Sequence, residues 1–260
     1  MAMELPDLSR TVSVGLPFAL LGALLAVGAL SYGSGFYATF IRSELGVIEN
    51  GTALLALLVA VLAIRAWRET RVMAPRWFFR LWMAFFVLGG VFLAGEEISW
   101  GQHFFHWASP QYFRGANIQG ETNIHNLWHL SEILPKFLLH TAAVLGGILW
   151  PLIAGRGRIP APKAPGFLYW LMPTRAVVSA ASIAIGIRVV ERVLANMHLR
   201  EKGLAYNEFK EANELFLILF VAFYLASLVV RARAYARRPG AAATDRARDM
   251  GAGGARDAAQ

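Results

Sequence analysis

The 260-residue chain contains no cysteine. Disulfides, zinc–thiolate sites, iron–sulfur clusters and c-type haem attachment are therefore excluded, while an oxidising compartment stays compatible. Charge is also scarce, at 16% of residues, where an ordinary soluble domain carries about 25%. Aspartate is missing from the whole stretch between Asp7 and Asp245, so every carboxylate side chain in between is a glutamate. What fills the chain instead is apolar: 57% of residues are hydrophobic, gathered into runs near the roughly 20 residues needed to cross a bilayer. The formal charge of +8 does not indicate nucleic acid. Its arginines cluster beside the apolar runs, where membrane-orientation signals lie.

These runs predict an all-α fold, a polytopic transmembrane helix bundle of about six spans. They are expected near Ser13–Tyr32, Thr52–Trp67, Trp77–Trp100, Leu134–Ile153, Arg175–Leu194 and Leu215–Val230. The first could pass for a signal peptide, but Glu4 and Asp7 sit beside Arg10 and the apolar stretch is too long, so it reads as a retained helix. Residues 1–235 form one transmembrane domain in this reading. The Pro/Gly-rich segment 155–166 is a linker, and residues 236–260, rich in Ala, Gly, Arg and Asp, are a disordered cytoplasmic tail.

Loop charges orient the bundle. Arg65, Arg68, Arg71, Arg76 and Arg80 lie between spans two and three, Arg156, Arg158, Lys163 and Arg175 between four and five, and Arg231, Arg233, Arg237 and Arg238 after the sixth. The positive-inside rule makes that side cytoplasmic, with both termini inside. Arg188, Arg192, Arg200, Lys202 and Lys210 dissent, interleaved with Glu191, Glu201, Glu208 and Glu211.

The orientation has a chemical consequence. Span three ends outward in Gly95-Glu96-Glu97-Ile98-Ser99-Trp100-Gly101-Gln102-His103, and the outer loop after it holds Glu121, His125 and His129. Glu191, Asn196, His198, Glu208, Glu211, Asn213 and Glu214 fall on the same side. A charge near the apolar core costs several kcal/mol unless it is paired, hydrated or ligating. If helix three continues past Gly101, then Glu96, Ser99 and His103 share a face at i, i+3 and i+7. Glu121, His125, His129 and Glu132 share one at i, i+4, i+8 and i+11, opposite Ile124, Leu127 and Trp128. Residues 123–134 therefore read as an amphipathic interfacial helix after the third span, ending where the chain re-enters the membrane at Pro135. Two histidines four apart on a helix can share a metal ion, and His103 or a glutamate can complete a tetrahedral site. Trp107, Tyr112 and Phe113 in the intervening loop favour headgroup depth, as a lid or as an anchored surface loop.

The stretch Gly95 to Gln102, followed by Asn117-Ile118-Gln119-Gly120-Glu121-Thr122-Asn123-Ile124-His125-Asn126, resembles the signature of a family of bacterial multi-pass membrane proteins of unknown function. The resemblance covers the middle third of the chain and implies fold and membrane location, without an activity. Ser99-x-x-x-His103 and His125-x-x-x-His129 are also similar to local spacings of the membrane hydrolases related to alkaline ceramidases. That resemblance implies zinc held by three histidines beside a serine and an acid. Those hydrolases have seven spans, and here a glutamate would stand in place of their aspartate.

Two functions of different class follow. In the first, His103, His125 and His129, with Glu121, bind a metal, zinc first and iron second. Glu97 or Glu96 is the general base, Ser99 bonds the reacting oxygen, and a lipid or lipid-linked substrate is hydrolysed at the outer leaflet. In the second, the Glu/His cluster serves a transporter, a sensor or a structural protein, binding ions or fastening helices, with Glu96 or Glu97 paired to Arg188 or Arg192. Few polar residues line the inner halves of the spans (Ser179, Ser182 and Ser227), which argues against a through-path. His140, His198, Glu44 and Glu49 are assigned to helix fastening.

Overall fold

The computed structural model describes residues 5–37, 46–70, 77–116, 122, 129–154, 167–197 and 206–237. At 103, 114–116, 129–132, 167 and 206–208 it describes the backbone alone. Every regular element among these residues is helical. They are α1 (Leu16–Ser31, entered through a π-helical turn at Thr11–Gly15), α2 (Val47–Thr70), α3 (Trp77–Glu97), α4 (Gln102–Phe105) and α5 (Gln111–Ala116). Then come α6 (His129–Ala142), which passes through a π-helical stretch Ala143–Leu149 into α7 (Trp150–Ala154), followed by α8 (Phe167–Leu171), α9 (Val178–Asn196) and α10 (Tyr206–Ala236).

Five helices are long and apolar enough to cross a membrane: Thr11–Ser31, Val47–Thr70, Trp77–Glu97, Ile133–Ala154 and Phe209–Ala236. The helix expected as the fifth of six spans does form, as α9. Arg188, Glu191 and Arg192 in its second half set it apart from the other five. The break expected at Pro135 is absent: α6 runs through that proline. Residues 123–128 of the expected interfacial helix lie outside the described residues, as does the linker 155–166.

The core is built around α10, whose middle from Leu215 to Val230 is apolar on nearly all sides and almost wholly buried. A helix without a polar face belongs inside a bundle. Phe216, Leu217, Leu225 and Leu228 fill its surroundings, and α2, α3 and α9 supply Ala56, Ala63, Ala66, Phe79, Met83, Ala180, Ala181 and Ala184. Alanines and glycines let backbones approach closely, as membrane helix contacts require. At Gly90 of α3 an added Cβ would stand 2.6 Å from the Ala56 carbonyl oxygen of α2. At Gly147 it would stand 2.6 Å from Ala181 Cβ of α9. The outward faces are apolar as well: Leu54, Leu57, Phe85, Leu88, Phe137, Leu138, Leu145, Val189 and Val193 are all exposed. Such a continuous apolar surface calls for lipid.

Charged groups gather at the two ends of the bundle. At one end Arg233 Nε donates to Glu69 Oε1 at 2.7 Å, joining the last turns of α10 and α2. Beside them the buried Arg231 donates to the Tyr169 and Met172 carbonyl oxygens at 2.9 and 3.4 Å, and the Asp7 carboxylate acts on it from the N-terminal segment. Trp82 Nε1 donates to Tyr224 Oη at 3.1 Å, which in turn donates to the Leu171 carbonyl oxygen at 2.9 Å. The start of α3 and the end of α10 therefore meet here. The opposite end holds the start of α2, the end of α3 and the start of α10.

Candidate functional site

The conspicuous glutamate motif closes α3 with a tight reversal. Ser99, Trp100 and Gly101 have φ of 45°, 53° and 88°, three left-handed residues in succession. Only glycine takes that conformation freely, and each of the other two costs about 1–2 kcal/mol. The turn is held by side chains from its own motif. The Trp100 indole folds back over Gly95, where a Cβ would come within 2.8 Å of the ring. From there Trp100 Nε1 donates to Glu96 Oε1 at 2.6 Å, and Phe92 meets the indole edge-on. Glu96 and Ser99 are both 2% exposed.

This geometry changes the reading of the motif. Glu96, Ser99 and His103 do not lie on one continuous helical face, because the left-handed turn breaks the register between α3 and α4. The adjacent glutamates also separate. Glu96 is buried and fastens the turn. Glu97 is half-buried and shares its end of the bundle with Glu49, Glu211 and Glu214 and with the Lys136 ammonium.

Beyond the turn, Gln102 works as a clamp. Its Nε2 donates to Ser109 Oγ at 2.8 Å, and its Oε1 accepts the Thr122 backbone N–H at 2.8 Å. Thr122 Oγ1 donates to the same Ser109 hydroxyl at 3.3 Å. Gln102 belongs to the first motif stretch and Thr122 to the second, so one amide side chain ties them across 20 residues. Gln102→Ala is expected to lower stability by about 1–2 kcal/mol, two neutral hydrogen bonds at roughly 1 kcal/mol each. Gln102→Glu, which keeps the acceptor for Thr122, should lose about half as much. Thermal unfolding in detergent measures both, and an unchanged melting temperature for Gln102→Ala would remove the clamp.

The polar end is cross-braced. Lys136 Nζ on α6 pairs with Glu214 Oε1 on α10 at 2.7 Å. One turn deeper, His140 Nε2 lies 2.9 Å from Asn213 Oδ1, and Asn213 Nδ2 donates to the Ala184 carbonyl oxygen of α9 at 2.7 Å. His140 Nδ1 lies 2.6 Å from the Lys136 carbonyl oxygen. Both ring nitrogens thus face oxygen atoms, and the tautomer decides which of them donates. His140 thus links α6 to α10 through Asn213. Arg188 pairs within α9, to Glu191 Oε2 at 2.5 Å, instead of with Glu96 or Glu97.

Of the expected metal ligands, Glu121 and His125 lie outside the described residues, and His103 and His129 are described by backbone alone. Among the described residues no three His, Asp or Glu side chains converge to hold a metal ion. Lys136, Asn213, Gln102, Ser109 and Thr122 carry the observed contacts, and sequence reasoning gave none of them a role. A lysine just after the proline at the start of a span was the one available signal. No protein-family model, curated protein or solved structure matches the chain.

Proposed function

We propose that this chain is a six-span inner-membrane protein of the bacterial family whose signature it resembles, and that its polar end is a metal-dependent hydrolytic site at the outer face. The observation that carries the reading is the hydrogen bond from Thr122 N–H to Gln102 Oε1. Its two residues belong one to each of the two motif stretches, which supports a site drawn from both. The donor set of His103, His125, His129 and Glu121, imidazoles and a carboxylate without thiolate, fits zinc and also iron. A zinc ion bound there would supply Lewis-acid activation of water.

The chain's own residues would do the rest. Glu97 would take up the proton as general base, since the other glutamate of the pair is engaged by Trp100. Ser99 would bond the reacting oxygen. Orientation rests on Arg65, Arg68, Arg80, Arg175, Arg231 and Arg233, which fall toward the end opposite Glu97 and make that opposite end cytoplasmic. The substrate would be a lipid or lipid-linked molecule, reached from the outer leaflet.

A second reading has its own observations. Lys136–Glu214 and the His140–Asn213–Ala184 relay join α6, α9 and α10 directly, as helix fasteners do. A transporter or sensor is less well supported, because α10 from Leu215 to Phe223 is apolar and buried.

Metal content decides between the readings. Detergent-purified protein is expected to carry about one zinc or iron per chain, lost in His125→Ala/His129→Ala, since binding needs the full ligand set. Protein that stays metal-free after soaking in zinc or iron would remove the hydrolytic site and leave the fastening network.

A further inference from the structure

The segment that follows the motif turn has an inverted polarity. From Ile98 to Phe113 the sequence contains no Asp, Glu, Lys or Arg. Within it Phe104 is 53% exposed, Phe105 76% and Tyr112 60%. Trp100 and Trp107 are exposed too. The polar Ser99 and Ser109, by contrast, are buried. Gln102 turns inward to bond Ser109 and Thr122. A loop meeting water does the reverse: it hides aromatic rings and presents its hydroxyls and amides.

The exposed rings also continue a surface already described. Phe85, Leu88, Val91 and Phe92 form the outward apolar face of α3. Phe92 touches Trp100 with ring centroids 6.1 Å apart. Past the turn, Phe105 stacks on Trp107 with centroids 6.0 Å apart and planes within 6°. Tyr112 then meets Phe113 edge-on. No charged side chain interrupts this path from the lipid-facing span to the loop. Tyrosine and tryptophan, apolar bodies with one polar atom, are enriched at the depth where acyl chains give way to headgroups.

We propose that α4, α5 and the segment between them form a lipid-docked platform, lying in the interfacial layer of the leaflet at the end of α3, with Phe104, Phe105, Trp107 and Tyr112 inserted among the headgroups. The occupant of this aromatic face is the bilayer itself. The scarcity of charge, with Arg114 the one Asp, Glu, Lys or Arg from Ile98 to Ala116, and the unbroken continuation of the α3 surface favour lipid over a second protein surface, whose rim would carry more charge. The platform does not depend on the hydrolytic reading and would stand if the site bound no metal.

The absence of native cysteine makes the test direct. Phe105→Cys and Tyr112→Cys are each labelled with a nitroxide, in protein reconstituted sparsely into phosphatidylcholine–phosphatidylglycerol vesicles. Leu88→Cys serves as the mid-span reference and Arg237→Cys as the aqueous one. Power saturation reads accessibility to oxygen, which partitions into lipid, and to a water-soluble nickel chelate. Both platform labels are expected to favour oxygen several-fold more than the Arg237 label does, while staying shallower than the Leu88 label. Two separate, exposed positions guard against one variant failing to fold. Labels that match the Arg237 label would make the segment an aqueous loop. Labels shielded from both reagents would mean that a second copy or another protein covers it. Either result overturns the proposal.

Discussion

Gly90→Ala is expected to destabilise the bundle, and Gly90→Leu to prevent its assembly, while Gly89→Ala one position earlier is neutral or slightly stabilising. The contrast is decided by what each Cβ meets. At Gly89 there is nothing within 4 Å. At Gly90 the new atom lies 2.6 Å from the Ala56 carbonyl oxygen, 3.0 Å from the Ala60 nitrogen and 3.2 Å from Ala60 Cβ. The nearest two obstacles are backbone atoms in the middle of α2 and cannot rotate away, so the helices must separate. Replacing glycine by alanine in a helix gains at most about 1 kcal/mol of propensity. Overpacking a tight contact costs about 1–3 kcal/mol and more for a larger side chain. The clash therefore wins at Gly90 and is absent at Gly89. Ala60→Gly should not rescue Gly90→Ala, since the carbonyl of Ala56 remains. Melting of the detergent-purified variants by size-exclusion chromatography measures all four, and equal melting temperatures for Gly89→Ala and Gly90→Ala would contradict the close approach.

Gly95→Ala and Trp100→Phe should each loosen the motif turn, by one shared route. The first fills the seat that the Trp100 ring occupies. The second keeps a ring but deletes the N–H that reaches Glu96 Oε1 at 2.6 Å. Hydrogen bonds to charged groups contribute about 1.5–3 kcal/mol each, so each variant should lose stability on that scale. Because both act on the same bond, the double variant should lose clearly less than the sum, a coupling of about 0.5–3 kcal/mol by double-mutant cycle. Full additivity would mean that the seat at Gly95 and the indole N–H stabilise the turn independently. The same variants report on the proposed site. The clamp residue Gln102 directly follows Gly101, and a turn that opens carries Gln102 away from Thr122.

Much of the fold was legible because a membrane imposes length and polarity on each helix. The expected second and third spans correspond to α2 and α3, and the sixth to α10, with errors confined to their ends. Span three was expected to reach Trp100 but stops at Glu97, because Gly101 is the only sequence mark of a turn that also takes Ser99 and Trp100 into the left-handed region. The convergence of Glu97, Glu211 and Glu214 on one end followed from alternating loop charges. What each polar group does there was not legible. The unequal roles of Glu96 and Glu97 depend on an indole folding back over a glycine. His140 and Asn213 meet across 73 residues of chain. Lys136 sits beside Glu214 only because α6 packs against α10 in one particular register. Side-chain spacing along a single helix carries no information of that kind.

The central position of α10 bears on how the protein is made. It leaves the ribosome after every other span described here, yet it is the element around which they pack. Before it inserts, α3 can already close on Ala56 and Ala60 of α2, and the stretch around Gly147 on Ala181 of α9. The earlier helices can each be stable across the bilayer, as hydrogen-bonded single helices are, but the faces of α2 and α9 that α10 covers stay open until it arrives. Closure of the bundle therefore follows the insertion of α10, the last of the described spans to arrive. A nascent chain stalled before Tyr206 would present the membrane's quality-control proteases with a ring of helices and no centre.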